Sequence, residues 1–211
     1  MIQIKNAAEL AQMRRACEIS AAALKAGGEA IEPGISTAEI DKIIYDFIVR
    51  HGARPNFLHL YGFPATACIS VNDTVIHGIP SRSQKIRPGD IVSIDTGCKI
   101  DGFNGDNACT YACGKVDLEA RRLMEVTKES LHRGIAMAQA GNRIGDISHA
   151  VQSYVEENGF SVVRSFVGHG VGKELHEDPE VPNFGNPGRG PRLVPGMTIA
   201  IEPMVNQKAF A

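Results

Sequence analysis

Two carboxylates flank a glycine-containing turn in the stretch SIDTGCKIDGFNGD, residues 93–106. Its Ile, Thr and Gly content predicts a β-hairpin that carries Asp95 and Asp106 on its two strands. A loop centred on Ile100 and Asp101 places the carboxylates directly opposite each other, whereas an Asp101-Gly102 turn makes them diagonal neighbours. Either register directs both to one face, about 5 to 8 Å apart. On a buried face such a pair needs a cation or a proton between its members, whereas on an outer face it is solvated.

Two further segments add histidine and glutamate to this pair. His169 lies in GHGVG, where the flanking glycines let the backbone approach another group, and His176 follows seven residues later. Glu202 lies in MTIAIEPMV, an apolar predicted strand in which a glutamate is expected to be paired, protonated or metal-bound. His77, in VNDTVIHGIP, is predicted to end another apolar strand. Its local sequence fits a half-exposed loop residue and a catalytic residue equally well.

Four of these side chains form an oxygen-rich set with one imidazole: Asp95, Asp106, His169 and Glu202. Such a set suits Mn, Fe, Co or Zn. Carboxylates can bridge two ions, and a two-metal centre activates water and stabilises the transition state for hydrolysis of amides or phosphoesters. Phosphate chemistry usually brings Lys, Arg or a glycine-rich anion nest close to the ligands, whereas the surrounding segments are apolar or acidic. The residues therefore favour amide hydrolysis.

An internal duplication predicts the elements that position these side chains. At an offset of 107, residues 34–52 align with 141–159, and RPGDIVSID (87–95) aligns with VPGMTIAIE (194–202). Glu202 thereby takes the place of Asp95, and chance similarity of Pro-Gly turns before apolar strands is the alternative. A duplicated helix, helix, strand unit predicts a pseudo-symmetric α+β fold, with a curved sheet, helices on one face and the site in the concavity. We expect a single domain, 1–211, with pseudo-repeats of about 1–116 and 117–211.

Local signals predict four helices and two strand regions. Ser36 and Glu39 form a capping box that begins one helix, and Gly52 ends it. An earlier helix is expected from Asn6 to about Gly27. The other elements are strands within 65–78 and 90–112, a helix from 117 to about 139, and a shorter helix that ends at 159.

Composition is that of an ordinary globular protein. The chain has 211 residues, 43% of them hydrophobic and 22% charged, with a net charge of -2. This balance offers no electrostatic footprint for nucleic acid or an anionic membrane, and no apolar run approaches the roughly 20 residues of a membrane span. The start lacks a signal peptide, so the cytoplasm is the expected location. Five cysteines without CxxC spacing predict reduced thiols rather than disulfides or a thiolate zinc site.

Four motifs, VNDTVIHGIP, SIDTGCKIDGFNGD, GHGVGKELHEDP and GMTIAIEPMVN, resemble in order and spacing those of the bacterial type I methionine aminopeptidases. The resemblance covers essentially the whole chain. It implies the duplicated pita-bread fold with a curved antiparallel sheet. It also implies removal of the initiator methionine from nascent proteins by metal-activated water attack on the first peptide bond. Two divalent ions (Co, Mn, Fe or Zn), a monomer, transient ribosome association, and no specific nucleic-acid or membrane partner are expected.

Carried over by position, the resemblance assigns the four ligands to two ions. Asp95 serves one ion, His169 and Glu202 serve the other, and Asp106 bridges both. Glu202 also matches the carboxylate that shuttles the proton of the attacking water.

The resemblance also assigns substrate contacts. His77 matches the histidine that contacts the substrate and supports the transition state, and His176 matches the one that hydrogen-bonds the scissile peptide group. Five apolar side chains fall where the methionine pocket is lined, and their character suits a thioether: Phe57, Leu60, Phe63, Cys68 and Leu175.

One departure from the family pattern concerns the end of the chain. The family's fifth ligand, a bridging Glu in a Q-x-E-H-type strand, and a tryptophan near the pocket lie beyond the equivalent of Asn206, and this sequence contains neither. The sequence therefore predicts a second repeat without its last strands. The alternative to an active enzyme is a truncated, catalytically weak or inactive peptide-binding relative. A metal-free creatinase-like amidohydrolase is disfavoured, because such enzymes need no clustered acidic ligands.

Overall fold

The computed structural model describes residues 1–207, which divide into two compact units. The first unit contains Ala8–Asp117 and Gly172–Leu175, and the second contains Met1–Ala7, Leu118–Val171 and the residues from His176 onward. Both units combine helices with antiparallel strands. Among the described residues, no helix is long and apolar enough to cross a membrane.

Two helices begin the first unit. Helix α1 spans Ala7–Glu29 and helix α2 spans Thr37–Arg50. The predicted capping box begins α2: the Glu39 N–H donates to Ser36 Oγ (3.2 Å), and the Ser36 N–H donates to Glu39 Oε2 (2.8 Å). Gly52, which follows the end of α2, has a φ of +74°, a conformation that favours glycine. Both ends of α2 therefore follow from local sequence.

The first unit also contains a four-stranded antiparallel sheet. Strand β3 (Ile91–Ile100) pairs with β1 (Arg54–Pro55), β2 (Ala67–Val71) and β4 (Phe103–Ala112). Asp101 and Gly102 form the turn between β3 and β4, and both have positive φ, 51° and 86°. Of the two registers that the sequence allows, the structure adopts the one with diagonal carboxylates.

Helices cover one face of this sheet, as expected. Alternate β3 residues, including Val92, Ile94 and Cys98, pack with side chains of α1 and α2 in one buried cluster. Asp95 lies between these positions in the sequence and therefore points to the opposite face. Asp106 opposes Gly97 and Asp95 opposes Ala108, so cross-strand pairing places both carboxylates on that opposite face.

One predicted strand is shorter than expected. Strand β2 ends at Val71, and the residues that follow it are irregular as far as Pro80. Asn72 and His77 adopt positive φ values of 55° and 56°, which no strand accommodates. The prediction that His77 ends a strand is therefore wrong.

Two helices and two short strand pairs form the second unit. Helix α3 spans Leu118–Met137 and α4 spans Ile144–Glu157. Strand β5 (Ser161–Val162) pairs with β8 (Val205–Asn206), and β6 (Gly168–Gly170) pairs with β7 (Glu177–Val181). The predicted strand around Glu202 is only partly regular. Within it, Ile199 forms an isolated antiparallel bridge with Gly170, and regular strand pairing resumes at β8.

The duplication is visible in local geometry. Helix α4 lies at α2 plus 107 at both ends, and the bridge between Ser36 and Lys85 recurs between Arg143 and Arg192. Three pairs of equivalent glycines share nearly the same positive φ: 97° and 100° at 34 and 141, 74° and 80° at 52 and 159, and 93° and 92° at 89 and 196. Chance similarity does not explain these matches.

Candidate functional site

The carboxylate face of the first unit places a thiol beside the two acids. Asp95 and Asp106 are half-buried, and Cys68 on β2 pairs with Asp95 across the sheet. Burial, together with the nearby charges of Asp95 and Asp106, raises the pKa of the Cys68 thiol to about 12. Cys68 is therefore a neutral thiol at physiological pH.

The glycines around His169 allow backbone segments to approach β6 from both sides. A Cβ at Gly168 would lie 2.3 Å from the carbonyl oxygen of Ala200, and one at Gly170 would lie 2.2 Å from that of Asp178. The Ala200 N–H donates to the His169 carbonyl oxygen (2.7 Å). His169 is thus fixed next to the extended segment that carries Glu202, which confirms the close approach expected from GHGVG.

The His169 ring and the Glu202 carboxylate face each other at close range. His169 Nδ1 lies 2.8 Å from the Gly170 carbonyl oxygen, which can only accept, so Nδ1 donates and Nε2 is the nitrogen that faces Glu202. Glu202 Oε1 lies 3.2 Å from that Nε2, yet it is buried and has no hydrogen-bond partner among the described residues. A ring nitrogen and a carboxylate oxygen at this separation can share a cation, and a ligating histidine typically donates its other N–H to a carbonyl.

The two other candidate histidines are exposed. The His176 ring packs edge-on against the His169 ring, with 4.5 Å between centroids. His77 is held by its neighbour: the Gly78 N–H donates to Ser70 Oγ (3.0 Å), and the Ile69 N–H donates to the Gly78 carbonyl oxygen (2.8 Å). Its left-handed backbone costs on the order of 1 kcal/mol, which these contacts offset.

The five predicted pocket residues form one apolar cluster in the first unit. Three are buried and two pack against them: Phe57, Cys68 and Leu175, with Leu60 and Phe63. They come from three separate segments, since Leu60 lies in a short 3₁₀ turn and Leu175 belongs to the segment Gly172–Leu175. The structure therefore brings these residues together, and their binding role stays a prediction.

Comparison with known proteins decides the family. Residues 11–210 match metallopeptidase family M24. A methionine aminopeptidase of Clostridium perfringens is 53% identical over 210 residues, covering 100% of this chain and 84% of that protein. Methionine aminopeptidase 1 of Bacillus subtilis is 50% identical and covers 98% and 83%. The chain belongs to the methionine aminopeptidases of metallopeptidase family M24. The crystal structure of methionine aminopeptidase from Rickettsia prowazekii has a TM-score of 0.97 at 36% identity, covering 100% of this chain and 85% of that one.

This membership confirms the expected pita-bread fold and a metal-dependent chemistry for the chain. An M24 metallopeptidase requires divalent metal ions, and the close approach of the His169 ring to the Glu202 carboxylate fits that requirement. The backbone of Glu202 is also held in place, since Asn183 Nδ2 donates to the Glu202 carbonyl oxygen (2.7 Å).

Several buried polar residues near the candidate site residues were not identified from the sequence. Asn104 lies two positions before Asp106, so strand alternation places it on the carboxylate face, and this signal could have identified it. Lys5 forms an ion pair with Glu177, next to His176. That pair joins residues 172 positions apart, and no local sequence pattern predicts it.

Proposed function

We propose that this protein is a methionyl aminopeptidase that removes the initiator methionine from nascent proteins and peptides. The observation that carries the proposal is the 3.2 Å approach of His169 Nε2 to Glu202 Oε1, in a chain half identical to methionine aminopeptidases. The reaction is hydrolysis of the first peptide bond. It releases free methionine and a peptide shortened by one residue.

Four side chains would hold two divalent ions, of Co, Mn, Fe or Zn: Asp95, Asp106, His169 and Glu202. When bound, such ions lower the pKa of water and neutralise the negative charge that develops on a peptide carbonyl. The local contacts favour this role, because the Gly170 carbonyl orients the His169 ring and Asn183 anchors the backbone of Glu202.

Three side chains would act on the substrate. The Glu202 carboxylate accepts a proton from the attacking water and passes it to the nitrogen that leaves as the C–N bond breaks. His176, beside His169, donates a hydrogen bond to the scissile peptide group. His77 contacts the substrate and stabilises the transition state, and its exposed position beside Gly78 leaves the ring accessible.

The apolar cluster of the first unit is the proposed methionine pocket. Its walls are aliphatic and aromatic, and its one sulfur is the neutral thiol of Cys68. A flexible, polarisable thioether packs well against such groups, whereas a charged side chain would lose its hydration there. We further propose that the chain acts as one catalytic domain, a cytoplasmic monomer that contacts the ribosome transiently.

Release of methionine from a Met-Ala-Ser peptide tests the proposed function. We expect release by the wild-type protein with Mn(II) or Co(II), inhibition by a chelator, and little release from Leu-Ala-Ser. The Glu202→Gln variant should bind the peptide without cleaving it. Absence of release across divalent metals at near-neutral pH would overturn the proposal, and binding without release by the wild type would identify a peptide-binding relative.

A further inference from the structure

Asn104 is a buried amide whose polar atoms all have partners within the first unit. Its side chain lies on β4 and the residue is 2% exposed. Nδ2 donates to the carbonyl oxygens of Gly172 (2.9 Å) and Lys173 (3.0 Å), and the Asn104 backbone N–H also donates to Gly172 (2.8 Å). Oδ1 accepts from Asn56 Nδ2 (3.3 Å). One side chain therefore joins two segments that are distant in sequence.

Both joined segments lead directly into the apolar cluster. Asn56 precedes Phe57, and its own N–H donates to the Gly97 carbonyl oxygen (3.2 Å). Lys173 lies two residues before Leu175. Phe57 and Leu175 are both 8% exposed and belong to the cluster proposed as the methionine pocket. Asn104 thus holds the backbone beside two of the three buried pocket residues.

The segment Gly172–Leu175 depends on these bonds, because it contains no helix or strand. Two other polar contacts of this segment are weaker anchors. Lys173 forms an ion pair with Glu9 at 3.1 Å, but the Lys173 side chain is 67% exposed, and exposed pairs contribute little. The Lys99 ammonium also donates to the Lys173 carbonyl oxygen from an exposed position. Losing the Asn104 amide leaves the Gly172 carbonyl with the backbone N–H of residue 104 and the Lys173 carbonyl with the exposed Lys99 ammonium, so the segment loses its two buried side-chain bonds.

We propose that Asn104 is a positioning residue that sets methionine selectivity by fixing the Phe57 and Leu175 sides of the pocket. The inference deepens the proposed function and rests on it. An unbranched thioether and a branched Leu side chain differ in shape rather than polarity, so a pocket discriminates between them only when its walls are held in place. In this role Asn104 does not contact the substrate. It acts through the segments that carry Phe57 and Leu175.

The Asn104→Leu variant keeps the approximate side-chain size, removes both donors and introduces no charge beside Asp106. We expect the KM for Met-Ala-Ser to rise about tenfold with kcat nearly unchanged, because ground-state and transition-state binding are lost together. The preference for Met-Ala-Ser over Leu-Ala-Ser should fall. Asn107→Leu is the matched control, since Asn107 lies on the same strand but bonds to Ser20 and Cys17 instead. It should keep the wild-type KM and selectivity.

A second readout needs neither metal nor activity. In metal-free protein with ¹³C-labelled leucine methyl groups, Asn104→Leu should broaden or shift the Leu175 resonance, whereas Asn107→Leu should leave it unchanged. Asn56→Ala, at a less buried position, should give the same changes to a smaller extent and serves if Asn104→Leu does not fold. Wild-type KM, selectivity and Leu175 resonances in these variants would overturn the proposal, as would a loss confined to kcat. If the wild type itself fails to cleave Met-Ala-Ser, the proposed function fails, and the Leu175 resonance still tests the positioning role.

Discussion

Replacing Lys5 by methionine removes one charge from an ion pair buried within the second unit. Lys5 Nζ lies 2.5 Å from Glu177 Oε2, and the two side chains are only 5% and 8% exposed. Lys5 also donates its backbone N–H to the Gly196 carbonyl oxygen (2.8 Å). This bond anchors the backbone at Lys5, so the ion pair does not easily become exposed to water. The Lys5→Met variant therefore removes the Lys5 charge from beside the buried Glu177 carboxylate.

The expected magnitude follows from that burial. Breaking a buried pair by removing one partner typically costs 3–5 kcal/mol, about 3–5 times the upper end for an exposed pair. With a urea m-value of about 2 kcal/mol per M, the unfolding midpoint should fall by roughly 1.5–2.5 M. Replacing both partners, in Lys5→Met with Glu177→Leu, should restore most of the loss, because no unpaired charge remains.

Urea unfolding followed by circular dichroism and by a second probe measures these shifts. Coincident transitions are required, since two compact units can unfold separately. Arg15→Met is the control: Arg15 lies 2.6 Å from Asp101, but the side chains are 59% and 44% exposed. It should cost less than about 1 kcal/mol. A Lys5→Met loss as small as that of Arg15→Met, or a double variant no more stable than the single one, would refute the reasoning.

Three further predictions concern local contacts. The Ser36 hydroxyl, followed by the Ser36 N–H and the Lys85 ammonium, lowers the pKa of Glu39 from 4.5 to about 2, so this stabilisation is complete above pH 4.5 and lost toward pH 2. In Ser36→Ala the midpoint of the Glu39 carboxyl ¹³C titration should move upward, and an unchanged midpoint contradicts this. A Cβ at Gly168 would lie 2.3 Å from a backbone oxygen, so Gly168→Ala should cost about 1–3 kcal/mol in urea unfolding, and an unshifted midpoint would reject the close packing. Because its pKa is raised to about 12, Cys68 should resist iodoacetamide at pH 8 while exposed Cys109 reacts; equal labelling by mass spectrometry would argue against its burial.

Elements set by neighbouring residues were predictable from sequence. The capping box of α2 joins residues three apart, and its counterpart in the second unit, where the Arg143 N–H donates to Asp146 Oδ2, follows from the offset of 107. The Asp101-Gly102 turn was one of two registers that the sequence allowed. Both registers place Asp95 and Asp106 on one face of the hairpin, so this feature depends on local geometry and not on tertiary contacts.

Other features depend on contacts that sequence patterns do not encode. The stretch after Val71 has strand-like composition, but the chain turns back so that the Ile69 N–H meets the Gly78 carbonyl oxygen, and the strand ends. Asn104 bonds to a segment 68 positions away, and Lys5 to a residue 172 positions away. In each case, tertiary packing decides which partner a polar group finds.

The most direct test of the account is whether His169 binds metal through Nε2. Titrating Zn(II) into metal-free, ¹⁵N-histidine-labelled protein should move the His169 Nε2 resonance, while the Nδ1–H bonded to the Gly170 carbonyl persists. Glu202→Gln should weaken the metal affinity measured from the same titration. An Nε2 resonance that Zn(II) leaves unchanged at saturating concentration would contradict the central claim.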